Sequence, residues 1–299
     1  KARFYNYCSS PFHTLVAQQF DRSMLDNLGE LATMIRRIAK SKPGMKFLQD
    51  LLPHKRAMIY FSQPSSRTFL SFYAACQILG IKPAEVRDTS TSSEMKGESA
   101  EDTIRTFSSY FDLLIMRSER PGLAERMAWL LGNTSRPVPI VNAGSGKDQH
   151  PTQALLDIYT LQRSFERRNG IDGKTVVFVG DLLRGRTVRS LAWLLTNYEN
   201  VRMVFVTDER LQIADDVREQ LARAGVDFEL RTEFEPVIPL ADAIYMTRIQ
   251  DEWDETPGES GAIDISKYAF TARHLQLLKR DAILMHPLPR RREIAADVD

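Results

Sequence analysis

Short runs of β-branched and aromatic residues recur along the chain, separated by longer stretches in which apolar residues return every three or four positions. The first pattern is that of buried strands, the second that of amphipathic helices. Strands are predicted at 57–61, 113–116, 138–141, 175–180, 202–206, 243–246 and 282–285. Helices are predicted at 21–40, 66–79, 99–109, 122–131, 152–167, 187–197, 212–224 and 271–279. Strands that are apolar on both faces and alternate with helices read as βαβ units. The expected class is therefore α/β, with two doubly wound parallel-sheet domains of similar size. Ligands of such sheets bind beyond the carboxyl ends of the strands, so functional residues are expected just after each strand.

Two polar segments interrupt the alternation. The charged, glycine-bearing run ERRNGIDG at 166–173 divides the chain into expected domains 1–165 and 166–299. The acidic, turn-rich run DEWDETPGESG at 251–261 follows a strand, lacks apolar periodicity and is expected to be a mobile loop.

Composition narrows the possible functions. A chain of 299 residues suits two domains. The 40 Lys and Arg against 39 Asp and Glu leave no basic excess for a general nucleic-acid binder. Cys8 and Cys76 form neither a disulfide framework nor a CxxC pair, which fits a reducing, cytoplasmic setting. No apolar run approaches the roughly 18 residues of a membrane span, and residues 1–10 lack the apolar core of a signal peptide. Neither a nucleic acid nor a membrane is expected as partner.

The post-strand segments carry the candidate chemistry. Ser65, Ser66, Arg67 and Thr68 follow the strand at 57–61 and open a helix, whose free N–H groups and dipole suit a phosphate. An ordinary capped helix with a solvated arginine has the same pattern. Ser92 and Lys96 lie in a polar loop that either reaches an anion or is only solvated. Arg117 directly follows a strand and suits either a ligand or a buried ion pair. His150 and Gln153 stand three apart at a helix start, where they can share a side and hold a carbonyl oxygen and an amino group. A satisfied structural histidine is the alternative. The segment 180–187 (GDLLRGRT) lacks both GxGxxG and GxxxxGK[ST], which argues against a dinucleotide site and keeps Arg186 as an anion binder. Arg248 and Gln250 follow the strand at 243–246, where Arg248 suits an anion or a strand-end salt bridge. Pro287 and Leu288 belong to a rigid segment with free carbonyls, or a plain connector. Together, Arg67, Lys96, Arg117, Arg186 and Arg248 suit two polyanionic ligands held side by side. No Ser/His/Asp order, HExxH or carboxylate cluster with metal spacing is present.

SSRT at 65–68, MR at 116–117, HPTQ at 150–153, GDLLRGRT at 180–187, TRIQ at 247–250 and HPLPR at 286–290 together resemble the aspartate/ornithine carbamoyltransferase family in order and spacing. The resemblance runs from about residue 21 to 299. HPLP and TRIQ look like the aspartate branch; the ornithine branch typically carries a cysteine in the former loop. The resemblance implies condensation of carbamoyl phosphate with L-aspartate, a step of pyrimidine synthesis. It further implies no metal or organic cofactor, and a homotrimer with active sites shared between subunits, with a regulatory or multienzyme partner as an option. By the same resemblance, Ser65, Ser66, Arg67 and Thr68 would cradle the phosphate. Arg117 would bind phosphate and the carbonyl oxygen, His150 that oxygen, and Gln153 the carbamoyl amino group. Ser92 and Lys96 would reach a neighbouring subunit's site. Arg186 and Arg248 would hold the aspartate carboxylates, with Gln250 alongside, and the carbonyls of Pro287 and Leu288 would orient the amino groups.

The chain departs from the family at Gln63 (often glutamate), Trp253 (often arginine) and Phe69 (commonly arginine), and it stops at Asp299 where members continue for one further helix. These departures bear on domain closure and acceptor preference. Three alternatives stand beside the resemblance: a carbamoyltransferase for an ornithine derivative, a catalytically silent scaffold homologue, and a nicotinamide-linked dehydrogenase, the last disfavoured by the missing glycine fingerprint.

Overall fold

The computed structural model describes residues 11–87, 97–146, 149–251 and 263–299. The chain divides into two compact units, Lys1–Thr152 and Gln153–Asp299. The expected α/β architecture of two parallel sheets is observed.

In the first unit, α1 (Arg22–Ile38) and α2 (Lys42–Gln49) precede β1 (Arg56–Phe61), α3 (Ser66–Ile78), β2 (Lys82–Val86), α4 (Ala100–Tyr110), β3 (Leu113–Ser118), α5 (Leu123–Gly132) and β4 (Ile140–Ser145). The strands are parallel in the order β2-β1-β3-β4. Alternate residues of β1 explain why both faces are covered. Met58 and Tyr60 pack with Ile104, Leu123 and Met127 of α4 and α5, whereas Ala57, Ile59 and Phe61 pack with Phe69 and Cys76 of α3. Phe69 is 4% exposed, meets Phe61 edge-on at 6.0 Å between ring centroids and lies under the Arg87 guanidinium. A residue noted as a departure thus became core. Cys76 is a free buried thiol whose pKa burial pushes up, so it is poorly nucleophilic.

In the second unit, α6 (Pro151–Phe165, from the last two residues of the first unit), β5 (Thr175–Val179), α7 (Arg186–Leu195), β6 (Arg202–Val206), α8 (Asp215–Arg223), β7 (Asp227–Arg231), β8 (Ala243–Met246) and β9 (Ile283–Met285) follow. The strands are again parallel, in the order β7-β6-β5-β8-β9. One face of β5, β6 and β8 contributes Val177, Val179, Val204, Val206, Ile244 and Met246 to a core. The other face carries Phe178, stacked on Phe205 at 5.0 Å and tilted against Tyr245 at 5.8 Å. Each such fully buried large side chain is worth about 1.5–3 kcal/mol.

Five elements differ from expectation. Strands β2 and β7 were not expected; both are edge strands, half exposed, with Pro83 in the first and three charged residues in the second. The helix expected at 21–40 ends at Ile38, because Ser41 caps a separate α2 by accepting from the Gly44 N–H at 3.1 Å. Strand β4 starts after Pro139 and runs on through Asn142, whose buried amide bonds Leu15 O and Gly144 N at 2.9 Å each. The segment expected as a helix at 271–279 is a 3-10 turn, Ala272–Gln276, pinned by buried His274, whose ring packs on Phe234 and Phe270. The loop expected at 251–261 lies, but for Asp251, outside the described residues.

Candidate active site

Each sheet reverses its winding direction once, and a doubly wound sheet opens a crevice at the carboxyl ends of the two strands that flank the reversal. In the first unit these are β1 and β3. The Ser62 N–H donates to Arg117 O at 3.0 Å, which sets the start of the 62–68 loop against the end of β3. Ser65 takes an extended conformation as N-cap of α3 but caps nothing with its side chain; its hydroxyl bonds Thr68 Oγ1 at 2.9 Å instead. The first N–H groups of α3 are thereby left as donors. Ser66 and Arg67 are exposed, and Arg67 has no partner among the described residues. Arg117, 7% exposed, donates through Nη1 to Ala143 O at 3.1 Å. His150 is also 7% exposed and sits 3.4 Å from Thr152 Oγ1 through Nδ1. The preceding residue, Gln149, accepts at its carbonyl from the Ser145 N–H at 3.0 Å. Ser92 and Lys96 lie outside the described residues.

In the second unit the reversal falls between β5 and β8. Gly180 has φ +115°, and a Cβ there would stand 2.0 Å from Thr247 O. The two post-strand loops touch backbone to backbone at this point. Gly180→Ala is expected to destabilise the second unit by about 3 kcal/mol, through clash and strained φ together, as read by chemical denaturation. Asp181 is fully buried. It accepts from Arg184 N–H at 3.0 Å and Gln250 N–H at 3.1 Å, and its carboxylate lies 3.8 Å from Arg184 Nη1. It therefore ties the loop carrying Arg184 and Arg186 to the loop carrying Arg248 and Gln250. Arg186 opens α7, and Arg248 lies 3.8 Å from Asp251 while donating to Ile249 O at 2.9 Å.

The segment after β9 is held from behind. His286 Nε2 meets Glu293 Oε1 at 2.6 Å, both side chains 6% exposed, and the Leu288 N–H donates to His286 Nδ1 at 2.7 Å. Burial works against ionisation of Glu293, but bonds from His286 and backbone N–H groups outweigh it and hold the carboxyl below its usual range. Leu288 has φ +60°, and the carbonyls of Pro287 and Leu288 accept no hydrogen bond among the described residues.

Sequence reasoning expected the candidate arginines in post-strand loops or at helix starts; Arg67 and Arg186 lie in the first turns of α3 and α7, whereas Arg117, expected just after a strand, is still paired within β3, opposite Phe61. The same reasoning passed over Asp181, Arg184, Glu293, Asp157 and Tyr245. Asp157, on α6, is 4% exposed and accepts from Tyr245 O–H at 2.7 Å and from Gln153 Nε2 at 2.9 Å. A lone buried-pattern Asp within ALLDIY was the available signal. Among the described residues no three His, Cys, Asp or Glu side chains come together as a metal site, and no helix is long and apolar enough to cross a membrane.

The family model "Aspartate/ornithine carbamoyltransferase, carbamoyl-P binding domain" matches residues 13–163, and the model of the Asp/Orn binding domain matches residues 172–299. The chain belongs to the aspartate/ornithine carbamoyltransferase family. Among its carbamoyltransferase relatives, the chloroplastic aspartate carbamoyltransferase 3 of Pisum sativum is 41% identical over 95% of this chain and 70% of its own length. The aspartate carbamoyltransferase catalytic subunit of Vibrio cholerae is 42% identical over 96% of this chain and 88% of its own. A crystal structure of Trypanosoma cruzi aspartate transcarbamoylase with carbamoyl aspartate and phosphate superposes with a TM-score of 0.83 at 34% identity, covering 96% of this chain and 86% of that one.

Proposed function

We propose that this chain transfers the carbamoyl group of carbamoyl phosphate to the amine of L-aspartate, giving N-carbamoyl-L-aspartate and phosphate for pyrimidine synthesis. The observation that carries the reading is the placement of paired cations at both winding reversals: Arg67 and Arg117 in the first unit, Arg186 and Arg248 in the second. Two anionic ligands require such cations on each side.

Ser65, Ser66, Arg67 and Thr68, with the open N–H groups of α3, hold the phosphate. Arg117 and His150 donate to the carbonyl oxygen, which gains charge as the amine attacks; donors already in place stabilise that charge without reorganisation. A C–N bond forms, the C–O bond to phosphate breaks, and the departing phosphate takes the amine's proton. Gln153 and the carbonyls of Pro287 and Leu288 orient the amino groups. Arg186, Arg248 and Gln250 bind the aspartate carboxylates. Ser92 and Lys96 complete a neighbouring subunit's site.

Domain roles belong to the same proposal: 1–165 for carbamoyl phosphate and 166–299 for aspartate, supported by the limits of the two family matches. So do a homotrimeric assembly and a cytoplasmic location, although the pea relative is chloroplastic. Light scattering on the purified chain is expected to give three chains per particle, and cell fractionation reads the location.

The deciding experiment is steady-state transfer from carbamoyl phosphate with aspartate and ornithine assayed in parallel. Turnover with aspartate alone is expected; turnover with ornithine alone, or with neither, overturns the proposal. A cationic acceptor would need an acidic partner where Arg248 stands. Arg248→Ala is expected to raise the KM for aspartate about 100-fold, the loss of one or two charge-assisted hydrogen bonds, with the KM for carbamoyl phosphate nearly unchanged.

A further inference from the structure

Asp157 is a buried carboxyl with no cation as partner among the described residues. Three elements surround it in the second unit. Its own helix α6 supplies Gln153, whose Nε2 donates to Oδ1 at 2.9 Å. Strand β8 supplies Tyr245, whose hydroxyl donates to Oδ2 at 2.7 Å. Helix α7 supplies Thr187, whose side chain hydrogen-bonds the Tyr245 hydroxyl. None of these groups is charged at neutral pH. The result is a directed chain, Thr187 to Tyr245 to Asp157 from one end and Gln153 to Asp157 from the other.

The direction matters because an amide has two unlike ends. A carboxylate only accepts hydrogen bonds, so the end of Gln153 that faces Asp157 has to be its NH2. Oε1 is then the end left over, and it makes no hydrogen bond among the described residues. A carbamoyl amino group is a donor and needs an acceptor opposite. With the amide reversed, two NH2 groups would face each other.

We propose that Asp157 is a positioning residue: it locks the Gln153 side chain so that its carbonyl, not its NH2, is presented to the carbamoyl amino group. The idea rests on the proposed carbamoyl transfer and goes beyond it, because Asp157 itself touches no substrate. The site is built at a cost to the fold. Burial pushes the Asp157 carboxyl up from 3.8 to about 7, against the bonds from Tyr245 and Gln153. A carboxyl that holds its proton more tightly folded than unfolded makes the fold less stable as pH rises between those values. A neutral isostere, Asp157→Asn, is therefore expected to melt no lower than wild type at pH 8.

The test is a double-mutant cycle on kcat/KM for carbamoyl phosphate, with Gln153→Ala as the second substitution and melting curves on every variant. Asp157→Asn in the wild-type background is expected to lower kcat/KM about tenfold, the worth of one misdirected hydrogen bond. In the Gln153→Ala background it is expected to change nothing. The wild type is expected to show an acid limb near pH 7, and Asp157→Asn to lack it. Acetyl phosphate, with a methyl where carbamoyl phosphate has NH2, needs no acceptor there, and its inhibition constant is expected to stay the same. Equal losses from Asp157→Asn with and without Gln153 would overturn the role of Asp157 while leaving carbamoyl transfer standing. Absence of wild-type turnover with aspartate would overturn both.

Discussion

Arg67→Ala is expected to lower carbamoyl transfer about a thousandfold, the upper range for one lost donor to developing charge, and to leave the melting temperature unchanged. The two halves of that expectation come from the same observation. Arg67 is exposed in the first turn of α3 and has no partner among the described residues, so the fold does not use its charge. Surface substitutions without a structural partner usually stay within about 0.5 kcal/mol. A cation that the protein does not need for itself, next to a helix start whose N–H groups are uncapped, is a group held for an anion. Arg67→Lys separates charge from shape: a lysine keeps the charge but loses the planar fork, so most of the loss is expected to persist. Turnover within tenfold of wild type in Arg67→Ala would remove the phosphate from this loop.

Asp181→Ala is expected to destabilise the second unit by about 3–5 kcal/mol, the cost of leaving a buried charge without its partner. Two groups lose their acceptor at once, the N–H of Arg184 and the N–H of Gln250, and the Arg184 guanidinium, itself only 8% exposed, loses the carboxylate 3.8 Å away while keeping its bond to Gln250 O. Because Asp181 joins the loops after β5 and β8, activity is expected to fall together with stability, through displacement of Arg248 and Gln250. Asp181→Asn keeps one acceptor and the volume, so it is expected to lose less. Denaturant midpoints and the KM for aspartate read the two effects separately; a stable Asp181→Ala with an altered KM would mean that the tie between the loops carries no folding energy.

Much of this was legible beforehand, for identifiable reasons. Central strands β1, β3, β5, β6 and β8 are apolar on both faces, and a continuous apolar run survives any reading of the sequence. Strands β2 and β7 are not, because they are half exposed and carry Pro83 in one and three charged residues in the other, whereas the other two edge strands, β4 and β9, keep apolar residues and were expected. The candidate arginines were legible because the positions after strands are set by chain order. Their partners were not: Asp181 meets Gln250 across 69 positions, and Tyr245 meets Asp157 across 88.

Local order along the chain was thus sufficient for the α/β class, for the motifs and for the residue types available at each strand end, since hydrophobic period and strand termini are properties of neighbouring residues. Pairing was not. Gln153 could be named as an amide near a helix start, but which of its two ends is offered to a ligand depends on a carboxylate one turn away and on a tyrosine from another strand. An aspartate in an apolar helix reads the same whether it faces a cation, water or a hydroxyl. Burial among Gln153 and Tyr245, without a cation, makes it a director of hydrogen bonds, and burial exists only once the sheet and helices have packed.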